Sequence, residues 1–283
     1  MTFRQVSELV KLRIGIMIAA TAVTGYAAVA DELRTAPALL LALAMLLGSG
    51  AAALFNHVCD RDIDRLMSRT RARPLATGLV RPADALGLAG LLMATAMTVA
   101  VLAFNWVVAL HLFLGAFVYG IVYTVWLKRR TWLNIVVGGA AGSFAVLAGA
   151  AAVEPTRWLL PALLAVTLFL WTPSHFWSLA ILLADDYRAA RVPMLPVVAG
   201  IGRTAWAILF NSVLLVASSL APWLLGVAGP AYAIAAGAAG LLLLGLNLAL
   251  ALRPGRKLAG WNFAASIPYL LVLFAGIVVD RHW

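Results

Sequence analysis

Nine apolar stretches, each long enough to cross a bilayer and each bounded by polar or charged residues, constrain this chain more than any other feature. They lie near residues 14–30, 37–57, 84–104, 106–126, 132–152, 158–182, 204–226, 230–251 and 260–279. About 17–25 apolar residues in a helix cover the roughly 30 Å of hydrocarbon in a bilayer. Lipid offers the backbone no hydrogen bonds, so stretches of this kind become helices. The expected fold is all-α: a polytopic membrane protein of nine transmembrane helices, read as one domain over residues 1–283. Composition agrees, because 11% of the residues are charged where a soluble domain carries about 25%. Asn105 is the only polar break between the third and fourth stretches.

The net charge of +10 would suggest nucleic acid in a soluble protein. In a membrane protein it reads first as orientation and lipid anchoring, so no nucleic-acid partner is expected. Placing the N-terminus in the cytoplasm puts 18 of the 21 Lys and Arg residues on the inner side and leaves Arg34, Arg157 and Arg281 outside. A wrong span count would scramble that asymmetry, so it supports nine spans with termini on opposite sides. No small-residue cleavage site follows the first apolar stretch, so no cleavable signal peptide is expected. Cys59 is the sole cysteine, which excludes an internal disulfide, and no Cys/His cluster suggests zinc or iron–sulfur.

The two longest polar connections, roughly 58–83 and 183–203, share the inner face and hold five of the eight aspartates. In the first, Asn56, Asp60 and Asp64 recur every four residues and so form one stripe of a helix. Like charges at that spacing repel unless a cation lies against them. An oxygen-only donor set suits a hard cation, and Mg²⁺ typically takes one or two carboxylates plus water and phosphate oxygens. Arg69, Arg71 and Arg73 follow at once, and guanidinium groups are shaped for phosphate. A ligand with a diphosphate head and a greasy tail fits such a site. The plainer reading, a loop anchored to headgroups, explains the arginines but leaves the carboxylate stripe without a purpose.

The second connection reads HFWSLAILLADDYRAARVPMLPVV. Asp185 and Asp186 are adjacent and point apart on a helix, so one can serve a metal while the other pairs with arginine. Pro193 and Pro196 are read as stopping the helix and shaping the loop. A third basic cluster, Lys128–Arg129–Arg130, closes the fourth span and can add diphosphate contacts, with Tyr119 and Tyr123 on one face leading to it. Its plainer reading is a positive anchor. His175 follows Pro173 deep in an apolar span, where an ionisable residue is a functional hypothesis by default. His111 stands alone in another span, and His57 borders the stripe. Trp171 and Trp177 read first as packing residues.

The stripe, the RTRARPLATG loop after it, the second acidic motif and the YTVWLKRRTWLNIVVGGAAGS stretch together resemble the UbiA superfamily of intramembrane prenyltransferases. The likeness runs from about residue 8 to 270, and within that superfamily it is greatest to the haem-farnesylating branch, the haem O synthases. His57 stands where many relatives have an acidic residue, as does His175, eleven residues before Asp186, and Leu182 occupies another often acidic position. A second site so poor in carboxylates fits the haem branch and argues against 4-hydroxybenzoate as acceptor.

The resemblance implies nine helices around a central cavity and a Mg²⁺-dependent electrophilic alkylation. Asn56, Asp60, Asp64, Asp185 and Asp186 are the implied catalytic and metal residues. Arg69, Arg71, Arg73, Lys128, Arg129 and Tyr123 are the implied diphosphate contacts, and His175, His57 and Trp177 the haem candidates. The implied substrates are farnesyl diphosphate and haem b. The product would feed haem A synthase or a terminal oxidase, from a bacterial inner membrane. Another acceptor (an aromatic acid, a quinone precursor or a chlorophyllide) is the rival within the enzyme class. A membrane transporter or a ligand-binding scaffold is the rival outside it.

Overall fold

A computed structural model describes residues 2–283. Among these residues, nine helices are long and apolar enough to span a membrane: Leu12–Val29, Thr35–Asp64, Pro82–Ala103, Trp106–Leu127, Asn134–Ala151, Leu159–Leu182, Leu195–Leu224, Pro230–Leu252 and Arg256–His282. They correspond one for one to the nine apolar stretches. A short helix, Phe3–Leu9, precedes them; Thr2 and Gln5 close its first turn by bonding each other's backbone N–H. Two others, Pro74–Thr77 and Ala184–Ala189, lie within the long polar connections.

Neighbours in sequence pack together, and the first span closes the arrangement by touching the second, fifth, sixth and ninth. Its contact with the fifth span is the tightest. A Cβ at Gly25 would lie 2.1 Å from the Val146 carbonyl oxygen, and one at Gly149 would lie 1.8 Å from that of Ala22. Small residues therefore let two backbones touch, which is how helices gain packing energy in lipid, where apolar burial alone gives no advantage.

The second span carries 30 residues, a length of about 45 Å at 1.5 Å per residue. It outruns the hydrocarbon, so its last turns, including Asn56, Asp60 and Asp64, stand at the level of the polar loops. Asn105 does separate the third and fourth spans. Its Oδ1 accepts from the N–H groups of Val107 and Val108, capping the fourth, while its Nδ2 donates to the Ala151 carbonyl.

Two features differ from the sequence reading. The seventh helical run begins at Leu195, with Pro196 in its first turn, so this proline opens a helix where it was expected to stop one. Gly200 then breaks the run at φ +81°, ψ 166°, a conformation open to glycine and strained for other residues. Regular helix resumes beyond that break, close to the expected residue 204. The fourth span changes pitch: Trp106–Phe117 is α-helical and Val118–Leu127 is a π-helix.

Cross-links between connections show which ends share a face. Lys11 reaches Asn56, Arg129 reaches Asp62, Ser68 reaches Asp186 and Arg256 reaches Asp185. On the opposite face Arg157 reaches Asp31, and Asp280 accepts from the Gly229 N–H. All the candidate carboxylates and basic clusters thus lie at one end of the bundle.

Candidate active site

The stripe on the second span is buried, with Asn56 2%, Asp60 0% and Asp64 1% exposed. Asn56 Nδ2 donates to Asp60 Oδ2 at 2.7 Å and to Thr124 Oγ1 at 2.9 Å, and Asn56 Oδ1 accepts from Lys11 Nζ at 2.6 Å. Asp60 Oδ2 also takes the Lys128 ammonium. Asp64 binds Arg73 through both oxygens, at 2.9 and 2.8 Å. Three cations of the protein therefore meet the three stripe residues, which is the countercharge that such a buried set requires.

The stripe still has capacity. Asp60 Oδ1 is buried and has no hydrogen-bond partner among the described residues, a cost of about 1–3 kcal/mol or more for a charged group. An anionic oxygen without a donor, beside an amide oxygen and a second carboxylate, is a donor set for a hard divalent cation. The residues present fit Mg²⁺ on that ground.

The π-helix supplies the wall opposite the stripe. Tyr119 and Tyr123 stack with ring centroids 5.7 Å apart, Lys128 Nζ lies 5.8 Å from the Tyr123 ring centre, and Lys11 Nζ donates to Tyr119 Oη at 2.7 Å. Burial, helped by the nearby charges of Arg73 and Lys128, lowers the Lys11 ammonium to about 7. That proton is held loosely because Lys11 sits among other cations with little water around it.

Of the loop arginines, Arg73 is half-buried on Asp64. Arg69 and Arg71 are exposed, and their side chains make no hydrogen bond among the described residues. Arg129 lies at the edge, binding Asp62 with two hydrogen bonds and the Cys59 carbonyl with one. Beside it an open groove of about 530 Å³ is lined by Arg61, Asp62, Thr124 and Arg129, so the flank of the site communicates with the surface.

The second acidic motif divides its two carboxylates. Asp186 accepts from the Ser68 N–H, the Ser68 hydroxyl and the Arg69 N–H, at 3.0, 2.8 and 3.3 Å. Partial burial opposes its charge, but these hydrogen bonds hold its carboxyl below the usual range. Asp185 is exposed, and Arg256 with Arg188 holds its carboxyl low. Among the described residues no three acidic, histidine or cysteine side chains converge on one point. Asp186 comes next to the arginine loop, and Asp185 turns away to arginines.

The haem candidates are buried. His57 is fully buried and neither ring nitrogen has a partner among the described residues; Trp177 Nε1 is in the same position. His175 is sandwiched between Trp171 and Phe263, with centroids 4.2 and 4.5 Å away, and its Nδ1 lies 2.6 Å from Ser266 Oγ. Trp171 Nε1 donates to the Ser266 carbonyl, and the carbonyl of Leu170 near Pro173 is taken by Asn211. His111 bonds the carbonyl of Val107 one turn back and serves its own helix. Two residues of the site escaped the sequence reading: Lys11, counted there only as an orientation charge, and Thr124.

The UbiA prenyltransferase family profile matches residues 16–275. Protoheme IX farnesyltransferase 1 of Paramagnetospirillum magneticum is 64% identical over 283 residues, covering 100% of both chains. Protoheme IX farnesyltransferase of Alkalilimnicola ehrlichii is 41% identical over 281 residues, covering 99% of this chain and 93% of its own. A solved UbiA homolog from Aeropyrum pernix superposes with a TM-score of 0.77 at 23% identity, covering 95% of this chain and 98% of its own. One from Archaeoglobus fulgidus, bound to DMAPP and Mg²⁺, gives 0.72 at 18% identity, covering 97% and 99%. At such identities these two structures speak for the fold.

Proposed function

This chain belongs to the UbiA prenyltransferase family, and from that premise we propose that it transfers the farnesyl group of farnesyl diphosphate to a vinyl group of haem b, adding water to give haem O. The observation that carries the acceptor is full-length identity of 64% to a protein named for protohaem farnesylation. The observation that carries the donor is the buried Asn56–Asp60–Asp64 stripe facing Lys128, with one carboxylate oxygen still without a partner.

Asn56, Asp60 and Asp64 would hold Mg²⁺, while Asp186 fastens the arginine loop beside them and Asp185 remains with its arginines. Bound there, Mg²⁺ supplies positive charge to the diphosphate oxygens as they take up the electrons of the breaking bond. Lys128 and Arg73 add positive charge from inside, Lys11 adds charge only while it keeps its loosely held proton, and Arg69, Arg71 and Arg129 would close on the diphosphate from the loops. Groups already in place where charge develops need no reorganisation, which is the basis of their effect on rate. The bond between farnesyl C1 and the diphosphate oxygen breaks, and the electron pair leaves with diphosphate. The stacked rings of Tyr119 and Tyr123 and the apolar spans exclude bulk water from the allylic cation. The vinyl carbon attacks C1. Water then bonds to the remaining cationic carbon beside the ring and releases a proton, so haem, farnesyl diphosphate and water become haem O and diphosphate. His57, Trp177 and His175 are the residues we assign to the porphyrin, on their burial and, for His57 and Trp177, their unpartnered ring nitrogens.

The protein is integral to the membrane. The excess of Lys and Arg on the face that bears the site supports a cytoplasmic N-terminus in a bacterial inner membrane, with the C-terminus opposite. The catalytic unit proposed is the whole of residues 1–283. Haem O so made would pass to a haem A-forming enzyme or a terminal oxidase.

Mass spectrometry of haem, after purified protein is incubated with haem b, farnesyl diphosphate and Mg²⁺, tests the reading. The expected result is a mass gain of one farnesyl group plus water that disappears when Mg²⁺ is omitted. Absence of that product, from folded protein shown to bind both substrates, would overturn the haem assignment and turn attention to other acceptors.

A further inference from the structure

The pitch of the fourth span is not incidental to the site. An α-helix turns about 100° per residue, which would set Tyr119 and Lys128, nine residues apart, on opposite sides. A π-helix bonds each N–H to the carbonyl five residues back, as Lys128 does to Tyr123 at 2.8 Å. That wider turn gathers residues spaced by four, five and nine, so Tyr119, Tyr123, Thr124 and Lys128 all face the stripe, while Val125 and Trp126 are exposed. Of the four, Thr124 is the one for which the reaction as described has no use.

Thr124 is 2% exposed and touches two things. Its hydroxyl donates to the Tyr119 carbonyl, five residues back, at 2.8 Å, and its oxygen accepts from Asn56 Nδ2 at 2.9 Å. With its one proton committed to a carbonyl, Oγ1 can present only lone pairs to Asn56. Asp60 Oδ2, the other neighbour of Nδ2, is likewise an acceptor. An amide between two acceptors must turn its NH₂ toward both, which fixes Oδ1 on the other side, where a cation already lies: the Lys11 ammonium at 2.6 Å.

We propose that Thr124 is a positioning residue that locks the Asn56 amide with its oxygen toward the cation, and that the π-helical turn places it there. The inference rests on the prenyl-diphosphate reading and goes beyond it by giving Asn56 its orientation. Without the hydroxyl, Asp60 Oδ2 and Lys11 still favour this orientation, but one of the two acceptors that hold the NH₂ is lost, so the amide oxygen is fixed less firmly for a divalent ion.

The test is binding of the non-ionising analogue farnesyl thiodiphosphate to the full-length protein as a function of Mg²⁺, measured by calorimetry. Thr124→Val keeps the β-branched shape and removes the hydroxyl. It is expected to raise the Mg²⁺ concentration for half-maximal binding about tenfold, the effect of losing one hydrogen bond, with Mg²⁺-independent haem binding unchanged. Thr124→Ser should retain wild-type values. In an Asn56→Ala background, Thr124→Val should have no further effect, because a residue acting through Asn56 has nothing left to orient. Thr124→Ala gives the same comparison if Thr124→Val does not fold. Unchanged Mg²⁺ dependence in Thr124→Val, equal loss in Thr124→Ser, or an undiminished effect without Asn56 would each overturn the inference. Wild-type protein that binds the analogue without regard to Mg²⁺ would instead overturn the metal reading of the site.

Discussion

Asp60 and Asp64, at the end of the second span, are 0% and 1% exposed, whereas Asp185, at the end of the sixth, keeps 67% of its side chain in solvent. The two acidic motifs carry the same chemical group and lie on the same face of the bundle. Burial separates them. A carboxylate enclosed among Lys128, Arg73 and the tyrosine pair acts through a medium that screens little. One that shares water with Arg188 and Arg256 acts through a medium that screens nearly everything. On the proposed reading the first motif would bear on the diphosphate through the cation it holds, while the second arranges loops: Asp186 fastens the Ser68–Arg69 turn to the short helix after the sixth span, and Asp185 fastens Arg256 of the ninth.

Substitutions that keep shape and remove charge put this contrast to the test. The largest loss is expected from Asp60→Asn, about 10³-fold in kcat for haem farnesylation, because Asp60 would hold the cation that offsets the developing diphosphate charge. A loss under tenfold would break the comparison at its strong end. Next, Lys128→Met leaves Asp60 buried without its partner, and folding stability should fall by about 3–5 kcal/mol in thermal or denaturant melts without Mg²⁺. A melt equal to wild type would mean that the buried Asp60 does not depend on Lys128 as its partner. Asp186→Asn weakens the tether on the arginine loop, and steady-state kinetics should show KM for farnesyl diphosphate raised roughly tenfold, the effect of losing charge-assisted hydrogen bonds. If its kcat fell as far as that of Asp60→Asn, the two motifs would be equal partners. Smallest, Asp185→Asn should leave kcat/KM within about threefold, as befits an exposed ion pair. A larger fall would place Asp185 in the reaction.

The part of the site that local geometry decides was legible in the sequence. A spacing of four on a helix puts Asn56, Asp60 and Asp64 in line whatever surrounds them. Nine apolar lengths between polar breaks likewise become nine spans because lipid permits little else. What escaped depends on tertiary partners. The apolar pattern of 118–127 suits an α- or a π-helix equally well, so the turn that brings Thr124 and Lys128 together could not be read from it. Lys11 looked like one orientation charge among many until the first span was packed beside the second. Adjacent Asp185 and Asp186 could be expected to point apart, but which would meet the arginine loop depended on where Ser68 and Arg256 came to rest. Pro196 was misread because a proline marks the first turn of a helix as readily as the end of one.

The link between Asp60 and Lys128 also has a consequence for biosynthesis. The two residues are 68 positions apart, so a ribosome adding about 5–20 residues per second completes the second span roughly 3–14 s before its cation exists. During that interval Asp60 must remain hydrated, whereas Asp64 has Arg73 only nine residues behind it. Their place on the overhanging end of a 30-residue helix allows this, since the newly inserted span can leave that end among the headgroups. In the folded protein the pair with Lys128 latches this end of the second span to the fourth, so the buried charge joins two helices made seconds apart.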